Sequence, residues 1–324
     1  MKFLVLDSKN PHLNLAIEEY LFSSCSDDIF MLWQNEPTVV IGKNQNVYSE
    51  IDLELLKENN VHLARRITGG GAVYHDLGNL NYTFISASEG EAKIDFERFT
   101  APIIDVLRSL GLDVSLSGRN DLLIDEKKFS GNAQYSAGGR TLHHGTLLFD
   151  SDLDFLSNVL RVDPEKIKSK AISSARSRVT NLKSYISEDL SIKGFIELIR
   201  DHITRLYSPT VIPVPQNEEI NKLYQRNSSY EWLFPEGGIA SRYSILKKRR
   251  YPMGVVEIWL DLANDIIKDI RITGDFFGVD PISQLENTLK GTRISNVDSV
   301  LSNTDVSNYI LGLSATEIAA QISE

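Results

Sequence analysis

Three consecutive glycines, set directly behind a pair of arginines and between two short apolar runs, constrain this chain more than any other feature. The stretch reads Arg65-Arg66-Ile67-Thr68-Gly69-Gly70-Gly71-Ala72-Val73-Tyr74-His75-Asp76. Val61 to Ala64 predicts a strand that ends on the arginines, and a second short strand begins after the glycines. Glycine takes positive φ without penalty and lets a ligand lie against the backbone. A run of N–H groups in such a turn forms a concave nest for a carboxylate or phosphate, and Arg66 adds a planar fork suited to the same oxyanions. A surface turn beside solvated arginines has the same composition, so the rest of the chain must decide between the two.

With 324 residues, the chain has room for one large domain with an appendage, or for two domains. Lys and Arg number 34 and Asp and Glu 44, so 34 − 44 gives a net charge of −10. That balance argues against general nucleic-acid binding, which needs a basic footprint, while leaving room for a local basic pocket. The single cysteine, Cys25, excludes an internal disulfide and a multi-cysteine zinc site. It has no evident activating base or helix N-terminus and reads as structural. The N-terminus reaches Asp7 too soon for a signal peptide, and no apolar run approaches the ~20 residues that span a bilayer. The expected location is cytoplasmic, with no membrane and no nucleic-acid partner.

Phe3 to Leu6 predicts an opening strand. Asn10-Pro11 then starts a helix whose buried face carries Leu13, Ile17, Tyr20 and Leu21. Ile29 to Trp33, Thr38 to Ile41 and Leu80 to Ser86 read as strands, and Gly42 to Asn46 as a polar loop. Asp52 to Asn59 and Phe96 to Leu110 read as helices, the second stopped by Gly111.

The second informative stretch runs from Ser117 to Gln134. Leu122 to Ile124 and Phe129 to Tyr135 predict paired strands turning at Asp125-Glu126. Asp121, at a strand edge, offers a hard oxygen to Mg²⁺, with Asn120 in support. Lys128 precedes Ser130-Gly131, a small pair that lets a ligand approach closely; a surface hairpin lysine is the ordinary alternative. His143 and His144 are adjacent on a strand and point to opposite faces, which argues against a shared zinc. A third stretch, Lys168 to Leu182, is basic and rich in small polar residues, as a loop closing over an anion would be, or a plain solvated loop.

Together these stretches resemble the two-domain lipoate–protein ligases. The resemblance rests on Arg65-Arg66 with Gly69 to Asp76, Gly118-Arg119-Asn120-Asp121, Lys128 to Ala133, His143 to Thr146 and Ser174 to Asn181. Departures are Ile67-Thr68, where relatives carry small hydroxyl residues, and Asn132, where some have serine; neither removes a charge. The resemblance implies an α/β (α+β) fold: mixed, mainly antiparallel sheets with flanking helices, plus a small α+β C-terminal domain. It implies a catalytic domain over 1–240, a linker over 241–250 and an accessory domain over 251–324. The implied reaction joins lipoate to ATP as lipoyl-AMP with release of pyrophosphate. The lipoyl group then passes to a lysine ε-amine on an acceptor.

By the same resemblance, Lys128 is the catalytic residue. Arg66, Gly69, Gly70, Gly71, Lys128 and His144 bind lipoate or lipoyl-AMP. ATP lies against Arg66, Gly71, Ala72, Val73, Tyr74, Lys128, Arg178 and Thr180. Asp121, with Asn120, helps place Mg²⁺. The implied acceptors are lipoyl domains of 2-oxoacid dehydrogenase complexes or the glycine-cleavage H protein, and the expected state is a monomer. Alternatives are an ATP-independent octanoyl or lipoyl transferase, whose thioester form needs a cysteine after the glycines that this chain lacks, and a non-enzymatic lipoate sensor.

Beyond the catalytic part, Ser191 to Tyr207 and Glu218 to Gln225 predict helices. Lys247-Lys248-Arg249-Arg250 falls in the expected linker. Gly254 to Leu260 and Ile266 to Ile272 predict antiparallel strands, with helices over Ile282 to Leu289 and Ser307 to Ile322.

Overall fold

A computed structural model describes residues 1–88, 94–118, 120–160, 179–186, 189–235 and 237–324. The chain divides into two units: Met1–Val40, Tyr48–Arg65 and Val73–Leu233 form the first, and Ile41–Val47, Arg66–Ala72 and Phe234–Glu324 the second.

The first unit is built on a sheet that starts with β1 (Lys2–Val5) and β2 (Ile29–Trp33). A small sheet uses β3 (Thr38–Ile41), β4 (His62–Arg65) and β5 (Val73–His75) in the order β4-β3-β5. The large sheet continues with β6 (Asn79–Ala87), β7 (Val114–Ser117), β8 (Asp121–Ile124), β9 (Lys127–Ala137), β10 (Arg140–Leu148) and β11 (Thr210–Val211). Its order is β11-β1-β2-β6-β10-β9-β8-β7. β1 runs parallel to β11 and β2, and every other pair is antiparallel. This is the mixed, mainly antiparallel sheet with flanking helices that the sequence leads one to expect.

One face of that sheet carries the main core. The helix Phe96–Ser109, capped by Asp95 accepting from the Arg98 N–H, buries Phe99, Ile103, Val106 and Leu107 against it. The helix Ile192–Tyr207, capped by Ser191, adds Phe195, Ile199 and Ile203 at the i, i+4 spacing of a single stripe. Burying a side chain of this size contributes about 1.5–3 kcal/mol. The opening helix, Pro11–Ser24, is capped by Asn10 and also buries two polar residues, Asn14 and Glu18. Asn14 ties the helix to Ser8, Gln34 and Asn35 through its amide. Glu19 forms a bidentate pair with Arg226, whose guanidinium stacks on Trp232.

The second unit holds a three-stranded antiparallel sheet of β12 (Ile245–Tyr251), β13 (Gly254–Ala263) and β14 (Ile266–Gly274), in that order. The helices Ile282–Leu289 and Ala315–Ser323 cover it, with Val256, Ile258, Ile270, Leu285 and Ile318 in the core. Two details differ from the sequence reading. Lys247 to Arg250, placed in the linker, are strand residues of β12. A charged side chain at every position hides the period-two pattern of an edge strand, where Lys and Arg are welcome on the open side. The helix expected from Ser307 to Ile322 is two helices, Val306–Tyr309 and Ala315–Ser323, interrupted at Gly312 (φ 77°) and restarted by a Ser314–Glu317 capping box.

Candidate functional site

In the first unit the chemistry gathers on the sheet face opposite the core. Successive strand residues alternate between faces, and residues directly opposite on neighbouring strands share one. His144 pairs with Thr83 on one side and Ala133 on the other, and Gly131 pairs with Asp121. These five residues therefore form a stripe of small and polar groups across β6, β10, β9 and β8.

Lys128 joins that stripe because of a bulge. Strict alternation along β9 would put Lys128 on the side of Ser130 and Asn132, in the core. Instead Leu122 pairs with Ser130 while Leu123 pairs with Lys128, so Phe129 is an extra residue. Phe129 drops fully into the core, and Lys128 is turned to the polar face. There its ammonium lies 2.8 Å from Asp121 Oδ1, both side chains about a third exposed at 36%. The lysine folds over Gly131: a Cβ on that glycine would stand 3.1 Å from Nζ and 3.2 Å from Cε. The two strands are joined by a two-residue turn with both residues left-handed, Asp125 (φ 47°) and Glu126 (φ 61°). Thr180 N–H donates to the Lys128 carbonyl at 2.9 Å, which brings this expected nucleotide contact beside the lysine.

Supporting bonds fix the strand beneath. Asn120 Nδ2 donates to the Asn132 carbonyl at 2.6 Å, and Asn132 Nδ2 to the Asn120 carbonyl at 3.0 Å. Gly131 N–H donates to Thr146 Oγ1 at 3.1 Å. On the core side, the Tyr82 hydroxyl donates to Asn132 Oδ1 at 2.5 Å, and burial raises its pKa. His143 accepts from Gln134 Nε2 at 3.0 Å and stacks on Phe99 at 5.2 Å. Burial, then the neighbouring His144, holds it well below the usual imidazole range, so it is neutral. His144 points the other way, its Nδ1 3.0 Å and 3.1 Å from the two oxygens of Glu18.

Asp121 suits Mg²⁺ in one specific manner. Among the described residues no three His, Cys, Asp or Glu gather around a point. A single carboxylate, already paired with the Lys128 ammonium, cannot cage a cation alone, so a Mg²⁺ here would share its ligands with substrate phosphates and water. Asn120 has its amide nitrogen tied to β9, so only its carbonyl oxygen is suited to a metal.

Tyr74 lies on β5 of the small sheet, its ring 5.0 Å from Phe155, flanked by Val73. Burial, followed by the Asp76 and Asp152 carboxylates, pushes its hydroxyl up to about 12. Asp76 itself is a turn residue, accepting from the Gly78 and Asp152 N–H groups.

The glycine loop belongs to the second unit. Arg66 is 5% exposed, and its guanidinium serves the loop itself: Nε donates to Thr68 Oγ1 at 2.9 Å, and Nη2 to the Gly69 and Gly71 carbonyls at 2.7 and 2.8 Å. Gly70 is left-handed (φ 89°) with the Phe277 ring 2.8 Å from where a Cβ would be, and its N–H donates to the Phe276 carbonyl at 3.1 Å. Gly71 leads through Ala72 to β5, and a Cβ there would meet the Asp275 side chain at an ordinary contact distance of 3.9 Å. Arg66 is thus the brace of the loop, and one donor of the expected anion nest is bonded to Phe276. Arg178 and the part of the basic stretch over 168–178 lie outside the described residues, as does Arg119.

Glu18 was not foreseen as part of this face. Its one sequence signal is a carboxylate within the apolar stripe of the opening helix, one turn after Asn14.

Comparison with known proteins accords with this arrangement. The lipoyl protein ligase A/B catalytic domain matches residues 10–204, and the bacterial lipoate protein ligase C-terminus residues 240–322. A lipoate-protein ligase of Bacillus subtilis, LplJ, is 38% identical over 303 residues, covering 89% of each chain. Lipoate–protein ligase 1 of Staphylococcus aureus is 38% identical over 90% of each. The structure of P. falciparum LipL1 in complex with lipoate superposes with a TM-score of 0.83 at 26% identity, covering 100% of this chain and 99% of that one. A lipoate-protein ligase A bound with ATP gives 0.61 at 29% identity over 72% of this chain and 98% of its own. With its polar sheet face, its hairpin lysine and both family regions in order, the chain is an enzyme of the lipoate–protein ligase family.

Proposed function

We propose that this enzyme activates free lipoate with ATP and Mg²⁺ to lipoyl-AMP and pyrophosphate, then transfers the lipoyl group to a lysine ε-amine on an acceptor domain. The observation that carries the reading is the Lys128 ammonium, turned by the Phe129 bulge onto the polar face and held 2.8 Å from Asp121 over a bare Gly131. The first step brings two anions together, so it needs a fixed cation and preorganised donors more than a covalent nucleophile. Lys128 supplies that charge to the carboxylate and α-phosphate oxygens, and the absent Gly131 side chain leaves room for them. His144 contributes to lipoate binding from the same face. Thr180, Tyr74 and Val73 border the nucleotide. Arg66, bonded to the Gly69 and Gly71 carbonyls, and the loop from Gly69 to Ala72 are assigned to the anion by the family resemblance, as is Arg178. Mg²⁺, held by Asp121 and, through its carbonyl oxygen, Asn120, would neutralise phosphate charge.

A neighbouring structure is a bipartite lipoate protein ligase and its E2 lipoyl domain from Thermoplasma acidophilum. That likeness favours lipoyl domains of 2-oxoacid dehydrogenase complexes as acceptors, and the family resemblance adds the glycine-cleavage H protein as the other candidate; we assign the chain to the cytoplasm as a monomer. Among the described residues no helix is long and apolar enough to cross a membrane. The deciding measurement is pyrophosphate release from ATP and Mg²⁺, with and without lipoate, in wild type and Lys128→Ala. Lipoate-dependent release that the variant loses supports the reading. Acyl transfer without pyrophosphate release replaces it with an ATP-independent transferase, and lipoate binding without turnover replaces it with a sensor.

A further inference from the structure

The opening helix buries a carboxylate where none is needed for packing. Glu18 is 1% exposed, on the helix Pro11–Ser24 that lies over the polar face. A buried carboxylate is costly unless donors surround it, and two side chains do so here. Thr83 Oγ1 accepts from Trp33 Nε1 at 2.9 Å, so its own proton goes to Glu18 Oε1 at 2.6 Å. His144 Nδ1 lies 3.0 Å from Oε1 and 3.1 Å from Oε2. Oε1 already accepts from Thr83, and Nδ1 faces both carboxylate oxygens, which accept, so the proton is assigned to Nδ1 and Nε2 is the ring atom turned from the helix.

We propose that Glu18 is a positioning residue of the acyl-binding face: it holds His144 in the Nδ1–H form and so fixes how lipoate binds beside Lys128. The inference rests on the reading of His144 as a lipoate-binding residue. The relay Trp33–Thr83–Glu18–His144 crosses β2, β6, the opening helix and β10, so four elements agree on one ring orientation. An imidazole held only by packing would flip and exchange its proton between nitrogens. With a carboxylate on Nδ1, one tautomer and one ring face are presented to substrate. A carboxylate is required for this, because a glutamine in its place can present its amide N–H to Nδ1 and favour the opposite tautomer.

The test uses the full chain. Glu18→Gln keeps the shape of the side chain, so the protein is expected to fold, checked by its thermal midpoint. In lipoate-dependent pyrophosphate release, kcat/KM for lipoate falls about 10- to 100-fold, the range seen when a group orienting a ligating histidine is lost. The loss is carried mainly by KM for lipoate, with KM for ATP unchanged. His144→Asn gives a similar loss, and adding Glu18→Gln to it costs nothing further, because Glu18 acts through the ring. Losses that multiply, or a folded Glu18→Gln enzyme matching wild type, overturn the proposal. A readout independent of turnover is the ¹⁵N spectrum of histidine-labelled wild type: His144 must show a protonated Nδ1, and an Nε2–H form overturns the proposal even if no variant folds. Absence of lipoate-dependent release from wild type overturns the ligase reading instead, while the spectrum still reports on Glu18 and His144.

Discussion

Gly131→Ala separates the placement of Lys128 from its presence. The new Cβ would stand 3.1 Å from Nζ and 3.2 Å from Cε. Gly131 is not among the left-handed glycines, so alanine fits its backbone. The obstacle is the far end of a flexible side chain, so the lysine moves and the strand stays. Restoring an ordinary contact of about 3.4 Å needs a shift of roughly 0.3 Å, and a change of rotamer needs about 1 Å or more. A misplacement of about 1 Å costs on the order of 10² in rate, which scales to about fourfold for the smaller shift. The expected loss in kcat for pyrophosphate release is therefore about 4- to 100-fold, or about 0.8–2.7 kcal/mol. The thermal midpoint should hold or rise, since alanine narrows the unfolded ensemble. The double variant Gly131→Ala/Lys128→Ala should equal Lys128→Ala alone. Wild-type kcat in folded Gly131→Ala, or a double variant worse than Lys128→Ala, would show that the contact with Gly131 does not set the position of the reacting charge.

Other consequences are testable with the same protein. Lys128→Ala should lower the rate of lipoyl-AMP formation about 10²- to 10³-fold and leave stability nearly unchanged, because the Asp121 pair is a third exposed; a near-normal rate refutes it. Gly70→Ala should destabilise the second unit by about 1–3 kcal/mol, since φ of 89° suits glycine and the Phe277 ring fills the space; urea unfolding measures this, and an unchanged midpoint contradicts it. His143 is held neutral in the folded protein while an unfolded histidine protonates near pH 6.5. The unfolded state therefore binds more protons below that pH, and stability falls as the pH drops through and below about 6.5. Replacing His143 by Gln should flatten that part of the stability curve, and an unaltered slope would assign it to other groups.

The hairpin around Asp125-Glu126 is legible because strand alternation and turn residues are local signals, whereas the fold class follows from the family resemblance. Lys128 and Asp121 stand out within it on their own chemistry, while His144 enters only through the resemblance. What the sequence did not show is the bulge. Phe129 is in phase with Gly131 and Ala133, so simple alternation puts the phenylalanine on the polar face and the lysine in the core. That contradiction is the only local trace of the extra residue, and the direction of Lys128 depends on it. A guanidinium beside glycines suits an anion, but that the Arg66 fork also holds the loop's own carbonyls depends on backbone geometry that no residue pattern encodes. Glu18 was hidden because its partners, Thr83 and His144, are 65 and 126 residues away in sequence.

That difference in separation bears on the order in which the polar face is assembled. Asp121 and Lys128 lie on adjacent strands joined by a two-residue turn, so their meeting closes a short loop. Hairpins of this kind form in about 1–10 μs, whereas pairings between distant strands must first meet a larger loop-closure entropy. The lysine–aspartate pair can thus form locally, before β10 joins β6 across more than fifty residues. Glu18 can hold Thr83 and His144 together only once that long-range closure has brought β6 and β10 side by side. A folding intermediate with the hairpin formed and the helix undocked would carry its charged pair in place but no fixed His144, and would bind no substrate in a productive pose.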